Sequence, residues 1–344
     1  MNTKLLYILV SNEVDTYFEM MIMSAFSAKY RMPDCHICLL MDDNTECSLS
    51  EPREVLLHKY IDETVVVQLD QSLSAKRKSR YLKTNMRNYV EGDFLYIDID
   101  TVIMQSLELV DKFDFEFAAV LDGHARLDKH HFKWIIEEDT HFLDYNIKDL
   151  GVYYNAGVLF VKDTVDNREF FKQWHELYKK NINKVDQDQP SMNYLCNKYR
   201  NITELPPEYN TQIMIGLQYL YNAKILHFFS SMNKPLLELS SHQFLTEIKE
   251  KGITDQIKQK ILNPISTFLP CTALIREDDF YNIYSSVYYK FKRLLFHGGR
   301  DTINYSKEEH ILYVMNTKIL KLERKILNLL YKIRQKRQKM LKFW

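Results

Sequence analysis

Residues 94–102 read FLYIDIDTV, an apolar run that ends in two carboxylates, Asp98 and Asp100. The aromatic, leucine and isoleucine side chains of this run predict a buried strand, which we expect over residues 93–100. Alternate residues of a strand point to the same face, so the two carboxylates should converge on one point. Because close carboxylates repel each other, this arrangement favours a bound divalent cation, and hard oxygen ligands suit Mg²⁺ or Mn²⁺.

The acid pair alone is compatible with three kinds of site. In a nucleotide-sugar glycosyltransferase, such a pair holds a metal ion on the donor diphosphate. In a haloacid-dehalogenase-type phosphatase, the first aspartate of a DxDx[TV] motif is the nucleophile, and residues 98–102 fit that pattern too. The third possibility is a pair of solvated acids at a strand end, so the rest of the chain has to decide.

Strand and helix signals alternate around this stretch. Besides residues 93–100, the predicted strands are 5–10, 36–41, 63–69, 115–121 and 154–161, and the predicted helices are 15–30, 50–59, 74–90 and 168–183. This alternation is typical of an α/β fold with a mostly parallel sheet between helices. In such sheets, ligands bind at the carboxyl ends of the strands, where the acid pair is expected.

The composition limits the classes of protein to consider. With 344 residues, 46% of them apolar, and a formal net charge of zero, the chain is neither disordered nor collagen-like, and we expect no nucleic-acid partner. Five scattered cysteines make a poor disulfide framework, so Cys35 and Cys38 are expected to be buried free thiols. We find no segment that resembles a signal peptide or a transmembrane helix, and therefore expect a cytosolic location.

Four later segments place polar side chains at the ends of predicted elements. They are YNAGVL at 154–159, DQPSMN at 188–193, LPPEYN at 205–210 and ILHFF at 225–229, the last followed by Lys234 and Pro235. The proline in the second segment favours the start of a helix. The two prolines in the third predict a rigid turn.

With these five motifs in collinear order, the sequence resembles glycosyltransferase family 8 over residues 4–236. The resemblance implies an α/β fold of the GT-A type, with a Rossmann-like mixed sheet. It also implies a retaining transferase that moves a hexose, galactose or glucose, from a UDP-sugar donor to a saccharide or glycolipid acceptor. Members of this family build bacterial lipopolysaccharide, so cell-surface glycan synthesis is the expected setting.

The resemblance further implies roles for individual residues. Asp98, Asp100 and His227 match the ligands of Mn²⁺ (or Mg²⁺), and Asp188 and Gln189 match a catalytic pair near the anomeric carbon. Asp122 occupies a strand-end position that faces the sugars and would bind the acceptor. Donor contacts are implied for Ser11, Asn12, Arg80, Lys83, Asp98, Ile99, Asn155, Ala156, Ser230 and Lys234.

The sequence departs from the family at several positions: one extra residue precedes Lys234, and Ser11, followed by Asn12, stands where the family has an acidic residue after the first strand. Ser230 replaces the glycine between the histidine and the lysine, and Leu236 replaces the tryptophan after Lys-Pro. Val14 stands where an aromatic residue often stacks on the base. Metal and diphosphate binding is therefore expected to follow the family more closely than base recognition.

Two other functions stay open as alternatives. A phosphatase would not need the four later motifs, and it would need further acidic ligands that the sequence does not offer convincingly. A non-catalytic, membrane-bound scaffold would not need the acid pair, His227 or Lys234. A polar stretch contains His124, His130, His131 and His141, and there we expect a lid or acceptor loop rather than a zinc site.

Beyond residue 240 the strand signals disappear, and we expect a catalytic domain over residues 1–240 and a helical region over 241–344. Residues 321–344 contain nine Lys or Arg and one Glu, interleaved with apolar and aromatic side chains. This pattern predicts a basic amphipathic helix on an anionic membrane, at the inner face of the cytoplasmic membrane. A solvated or oligomerising helix and a nucleic-acid-binding helix are the alternatives for this tail.

Overall fold

The computed structural model describes residues 1–268 except 131–132, 142, 144, 146, 148–149, 200–201, 214–216 and 229–236. The strands are β1 (Lys4–Leu9), β2 (Ile37–Asp42), β3 (Glu63–Val67), β4 (Phe94–Ile97), β5 (Thr101–Ile103), β6 (Phe117–Leu121), β7 (Tyr154–Val161), β8 (Thr203–Glu204), β9 (Thr211–Gln212) and β10 (Ile225–His227). The helices are α1 (Tyr17–Arg31), α2 (Asp43–Cys47), α3 (Glu51–Tyr60), α4 (Ala75–Tyr89), α5 (Lys133–Thr140), α6 (Val165–Asn181), α7 (Gln189–Tyr199), α8 (His242–Lys251) and α9 (Asp255–Leu262).

Seven strands form the main sheet, in the order β3–β2–β1–β4–β7–β6–β8. Strand β7 is antiparallel to both of its neighbours, whereas the other pairings in this sheet are parallel. The carboxyl ends of β4 and β6 therefore lie at the same edge as the amino end of β7. That edge carries Asp98 after β4, Asp122 after β6 and Asn155 within β7. The predicted α/β class with a mixed, mostly parallel sheet is confirmed.

A second, three-stranded sheet has the order β5–β10–β9. Strand β10 runs antiparallel to β5, with His227 opposite Thr101. The backbone N–H of Phe228 donates to the carbonyl of Asp100 at 3.1 Å. This pairing brings a histidine from residue 227 beside an aspartate that lies more than a hundred residues earlier in the chain.

Both faces of the main sheet are buried. On one face, Leu5, Tyr7 and Leu9 of β1 pack with α1, α3, α8 and α9. On the other face, Leu6 and Ile8 pack with α4, α6 and α7. Burying one such aliphatic side chain contributes roughly 1.5–3 kcal/mol. Because β1 is apolar on both faces, it is most stable inside the sheet, where helices cover both sides.

The predicted strand over residues 93–100 is wrong at its carboxyl end. Strand β4 ends at Ile97, and residues 98–100 form a bend before β5. The hydroxyl of Thr101 donates to the carbonyl of Asp98 at 2.8 Å and closes this bend. The two carboxylates therefore meet through a turn, and not through the alternation of a strand.

Other parts of the sequence prediction have mixed outcomes. Cys35 and Cys38 are buried free thiols, as predicted, and burial raises their pKa values to about 11 and about 12. Beyond residue 240, Phe244 of α8 and Ile257 of α9 join the core on the α1 face. The domain boundary at residue 240 stays a prediction. Residues 321–344 lie outside the described residues, so the basic tail stays a prediction as well. Within the described part of the chain, no helix is both long and apolar enough to cross a membrane.

Candidate active site

Asp98, Asp100 and His227 come together at the carboxyl edge of the main sheet. One ligand atom from each lies within 4.8 Å of the others, and His227 Nε2 is 3.3 Å from Asp100 Oδ1. Burial would lower the pKa of His227, but the charge and hydrogen bond of Asp100, together with the charge of Asp98, outweigh it and the net shift is upward. Among the residues that the structure describes, this is the only cluster of three His, Cys, Asp or Glu side chains with metal-binding spacing.

Gly157 of β7 allows this close approach. A Cβ atom at this position would lie 2.5 Å from His227 Cε1 and 2.8 Å from Asp98 Oδ2. The carbonyl of Gly157 accepts the backbone N–H of Asp98 at 2.7 Å, which ties the bend to β7. Any side chain here would displace the histidine or the carboxylate, so the position requires glycine.

Two cations of α4 pair with acids of this site. Lys83 Nζ lies 3.0 Å from Asp98 Oδ1 and 3.7 Å from Asp188 Oδ2. Arg80 Nε lies 3.3 Å from Asp188 Oδ1. Burial tends to raise the pKa of Asp188, but Lys83 and then Arg80 more than compensate, so the pKa is lowered and the carboxylate is ionised. Burial likewise opposes the charge of Lys83, yet Asp98 and Asp188 raise its pKa.

Asp122 and its neighbours form the other end of the site. Asp122 Oδ1 accepts from Asn155 Nδ2 at 2.7 Å, and Asp122 Oδ2 is 3.0 Å from His130 Nε2. Burial would raise the pKa of Asp122, but His130 and Asn155 hold it below its usual value. Gln189 Oε1 accepts the backbone N–H of Ala156 at 2.9 Å, which fixes its amide beside the same carboxylate.

A cavity of about 300 Å³ lies beside the metal-binding cluster and Asp188, and Asp122 adjoins it through Asn155 without lining it. Its lining consists of Arg80, Lys83, Asp98, Asp100, Ile136, Thr140, Tyr153, Asn155, Ala156, Gly157, Gln187, Asp188, Gln189, Pro190 and His227. Arg80 Nε and Asp188 Oδ2 are buried, and although each belongs to an ion pair, neither forms a hydrogen bond with the described residues. Because buried polar atoms normally have partners, these two atoms indicate a cavity shaped for a polar ligand.

Three of the predicted donor contacts are engaged elsewhere. Ser11 Oγ donates to Asp15 Oδ1 at 2.6 Å, and Asn12 Oδ1 accepts the backbone N–H of Val14 at 2.8 Å. Neither residue lines the cavity. Ile99 is partly buried against the apolar core. Ser230 and Lys234, the two remaining donor contacts of the sequence prediction, lie outside the described residues.

Sequence reasoning missed three residues that shape the site. Gly157 and Asn210 lie within two of the motifs, at 154–159 and 205–210, but the sequence alone assigned neither residue a role. His227 Nδ1 is 2.9 Å from Asn210 Oδ1. The hydroxyl of Tyr96 donates to Asp98 Oδ1, and its position in the middle of an apolar strand gave no hint of this contact.

The polar stretch before β7 contributes side chains to the region of the site. Its described residues form no cluster with the spacing of a zinc site. His130 contacts Asp122, and His124 Nε2 accepts the backbone N–H of Gln212 at 3.0 Å. Leu127, Ile147 and Tyr153 form a small apolar cluster of their own. Ile136 and Thr140 of α5 contribute to the cavity wall.

Two carboxylates and one imidazole nitrogen form a donor set that suits Mn²⁺ or Mg²⁺. The missing Cβ at Gly157 leaves room for His227 and Asp98 to approach each other. The residues present therefore fit a divalent cation. The cationic pair Arg80 and Lys83 of α4, next to Asp188 and Asp98, adds a position at which phosphate oxygens would be neutralised.

Comparisons with known proteins agree with this chemistry. A family model described as "Glycosyl transferase family 8" matches residues 43–239, more than half of the chain. Among curated protein sequences, none matches this chain significantly.

Solved structures with a similar chain path include three transferases. A galactosyltransferase, LgtC, solved with donor and acceptor sugar analogues, is 16% identical, with a TM-score of 0.48 over 75% of this chain and 100% of that one. Mouse xyloside xylosyltransferase 1 is 12% identical, with a TM-score of 0.44 over 66% and 97%. GlyE from Streptococcus pneumoniae is 19% identical, with a TM-score of 0.46 over 79% and 67%.

Proposed function

The chain belongs to glycosyltransferase family 8, and from that premise we propose that it transfers a hexose from a UDP-sugar to a saccharide or glycolipid acceptor, in a reaction that depends on Mn²⁺. The observation that carries the proposal is the convergence of Asp98, Asp100 and His227 on one cavity with Lys83 and Asp188. Family membership removes the phosphatase alternative. A scaffold without activity would have no use for a charged cavity of this composition.

Asp98, Asp100 and His227 would hold the cation, and a cation bound there would neutralise charge on the departing nucleoside diphosphate. Lys83 and Arg80 would face the same negative charge from α4. Because both cations are held by Asp98 and Asp188 in fixed positions, their charges are already oriented before the donor arrives.

The residues around Asp188 would act on the sugar. The lowered pKa keeps Asp188 ionised, so it can stabilise positive charge that develops at the anomeric carbon. Gln189 is fixed by its hydrogen bond to the N–H of Ala156, which directs the amide along the cavity wall. We propose that an acceptor hydroxyl attacks from the side on which the diphosphate leaves, which retains the anomeric configuration.

Asp122 would bind the acceptor. Its two carboxylate oxygens contact Asn155 and His130 at 2.7 and 3.0 Å, so the group is rigid and remains negatively charged. A rigid carboxylate is a good acceptor for sugar hydroxyls. We propose galactose or glucose as the sugar and a cell-surface glycan, such as lipopolysaccharide or capsule, as the product.

The test is a panel of UDP-sugars, incubated with Mn²⁺ and simple saccharide acceptors, in which sugar transfer and release of UDP are both measured. We expect one UDP-hexose to be used. Asp98→Asn should lower kcat/KM for transfer by more than about 100-fold, because changes to residues that merely support a metal ligand already cost 10–100-fold.

Asp62→Asn is the matched control. Asp62 also pairs with a lysine, at 2.7 Å from Lys29 Nζ, but it lies outside the cavity. Wild-type transfer in the Asp98→Asn variant, or no transfer from any donor by the wild-type protein, would contradict the proposal.

A further inference from the structure

A continuous chain of side-chain hydrogen bonds connects His227 to Asp122. It runs from His227 Nδ1 to Asn210 Oδ1 (2.9 Å), from Asn210 Nδ2 to Asn155 Oδ1 (2.9 Å) and from Asn155 Nδ2 to Asp122 Oδ1 (2.7 Å). Both asparagines are buried. Each amide can point in two ways, so the direction of the chain has to be deduced from groups whose roles are fixed.

Asn155 is oriented by two such groups. The backbone N–H of Gly157 is an obligatory donor, and it lies 2.8 Å from Asn155 Oδ1. The carboxylate of Asp122 has a lowered pKa and is therefore ionised, so it can only accept. A flipped amide would place its NH₂ against the N–H of Gly157 and its oxygen against the carboxylate. Both contacts would repel, so the oxygen of Asn155 faces Gly157.

The orientation of Asn155 fixes that of Asn210. Because Asn155 Oδ1 is an acceptor, the atom of Asn210 that lies 2.9 Å from it must be the NH₂ nitrogen. The oxygen of Asn210 consequently faces His227 Nδ1. An amide oxygen can only accept, so Nδ1 of His227 must carry the proton.

We infer that Asn210 is a positioning residue that holds His227 in the Nδ1–H tautomer and leaves Nε2 for the divalent cation. This inference rests on the proposed metal site and deepens it, since Nε2 is the nitrogen that faces Asp100. The same hydrogen bond fixes the plane of the ring. Partners of this kind typically raise the affinity of a histidine for its metal 10–100-fold.

The inference is tested by the affinity of the protein for Mn²⁺ alone, measured by calorimetric titration without donor or acceptor. Asn210→Leu removes the acceptor and should weaken Mn²⁺ binding 10–100-fold. Asn210→Ser, whose hydroxyl is too short to reach the ring, should weaken binding to a similar degree and serves if the leucine variant does not fold. Asn210→Asp keeps an acceptor for Nδ1–H, although it sets its second oxygen against Asn155 Oδ1, so this variant should retain more of the Mn²⁺ affinity than Asn210→Leu does.

Asn167→Leu is the matched control for the loss of a buried asparagine. Asn167 is 1% exposed and donates to the carbonyls of Glu116 and Lys162. None of these three residues lines the cavity. Its loss should lower the melting temperature and leave Mn²⁺ affinity unchanged.

The outcomes separate the two proposals. If the wild-type protein does not bind Mn²⁺, the metal site itself is wrong and the inference falls with it. If the wild type binds Mn²⁺ and the leucine or serine variant binds it equally well, the metal site stands and the role of Asn210 is wrong. Weakened binding in Asn167→Leu would also overturn the inference, because a general loss of stability would then explain the effect.

Discussion

Gly157 shows how a single missing atom determines the geometry of the site. Its absent Cβ would lie 2.5 Å from His227 Cε1, 2.8 Å from Asp98 Oδ2 and 2.9 Å from Asn155 Oδ1. These three atoms belong to two side chains of the candidate metal site and to the amide that orients Asn210. The glycine therefore allows the candidate metal site and its supporting hydrogen bonds to share one small volume.

We expect Gly157→Ala to lower kcat/KM for sugar transfer about 100-fold, since a displacement of about 1 Å in a catalytic group has an effect of that size. The added methyl group should also cost about 1–3 kcal/mol of stability, because it would lie 2.5–2.9 Å from atoms of His227, Asp98 and Asn155. Enzyme kinetics and thermal unfolding measure the two effects. Gly151→Ala is the control, since its Cβ would meet only the flexible end of Arg126, at 3.0 Å. Full activity in Gly157→Ala would contradict the argument.

The residues that the sequence could predict are those that carry charge in a motif. Asp98, Asp188 and His227 were predicted in this way, and the structure brings all three to one cavity. Asn210 lay within a quoted motif, but its partner is the side chain of His227, 17 residues later in the sequence. Its role depends on a contact between β10 and a turn, and no local pattern encodes such a contact.

At the scale of elements, α4 illustrates a charge cluster whose partners are distant in sequence. Residues 76–80 read KRKSR, a basic cluster within this helix. In the structure, Lys76 Nζ lies 2.7 Å from Asp186 Oδ2, and Lys78 Nζ lies 2.9 Å from Asp42 Oδ2 in a buried pair. Arg80 pairs with Asp188. Through Asp186 and Asp188, more than a hundred residues later in the sequence, the helix holds the segment that leads into Gln189.

The long elements were predictable because their apolar periodicity is strong. Strands β1, β2 and β7 and helices α1, α4 and α6 all lie within a few residues of the expected ranges. The small sheet was only partly foreseen. Strands β5, β9 and β10 have two or three residues each, too few for a periodic signal. Their pairing depends on the bend at residues 98–100. Because of this bend, β4 ends at Ile97 and not at residue 100 as predicted.

The contact between α4 and α6 predicts a pH dependence of stability. His175 of α6 is buried, with Nδ1 2.8 Å from Thr84 Oγ1 of α4. Burial, followed by the charge of Lys179, lowers the pKa of His175 from its usual 6.5 to about 4. As pH falls from 6.5 towards 4, the unfolded chain therefore takes up a proton that the folded protein refuses. The free energy of unfolding should fall by about 1.4 kcal/mol per pH unit, or roughly 3 kcal/mol over this window.

His175→Gln retains a polar partner for Thr84 and cannot titrate. Urea unfolding of both proteins between pH 7 and pH 4 isolates the effect, because all other titrating groups are shared. The difference in unfolding free energy between wild type and variant should shift by roughly 3 kcal/mol against the wild type at the acid end. A difference that stays constant with pH would show that His175 does not carry this dependence.

At the scale of the whole molecule, the neutral net charge conceals a division. Residues 321–344 carry nine Lys or Arg and one Glu, so the tail has a formal charge of +8 and residues 1–320 have −8. An acidic body is repelled by an anionic membrane, whereas the tail is attracted to it. Attachment to an anionic membrane, if it occurs through this charge, is therefore expected to depend on the tail alone.

We expect the full chain to sediment with vesicles that contain phosphatidylglycerol and not with pure phosphatidylcholine, because each tail cation near an anionic surface contributes on the order of 1 kcal/mol. Replacing the nine tail cations with Gln keeps the apolar residues and should abolish sedimentation. High salt should release the wild-type protein, since screening shortens the range of these charges to about 3 Å at 1 M. Equal sedimentation of the Gln variant would exclude electrostatic attachment through the tail. Analytical ultracentrifugation without vesicles would then show whether the tail instead associates with a second copy of the chain.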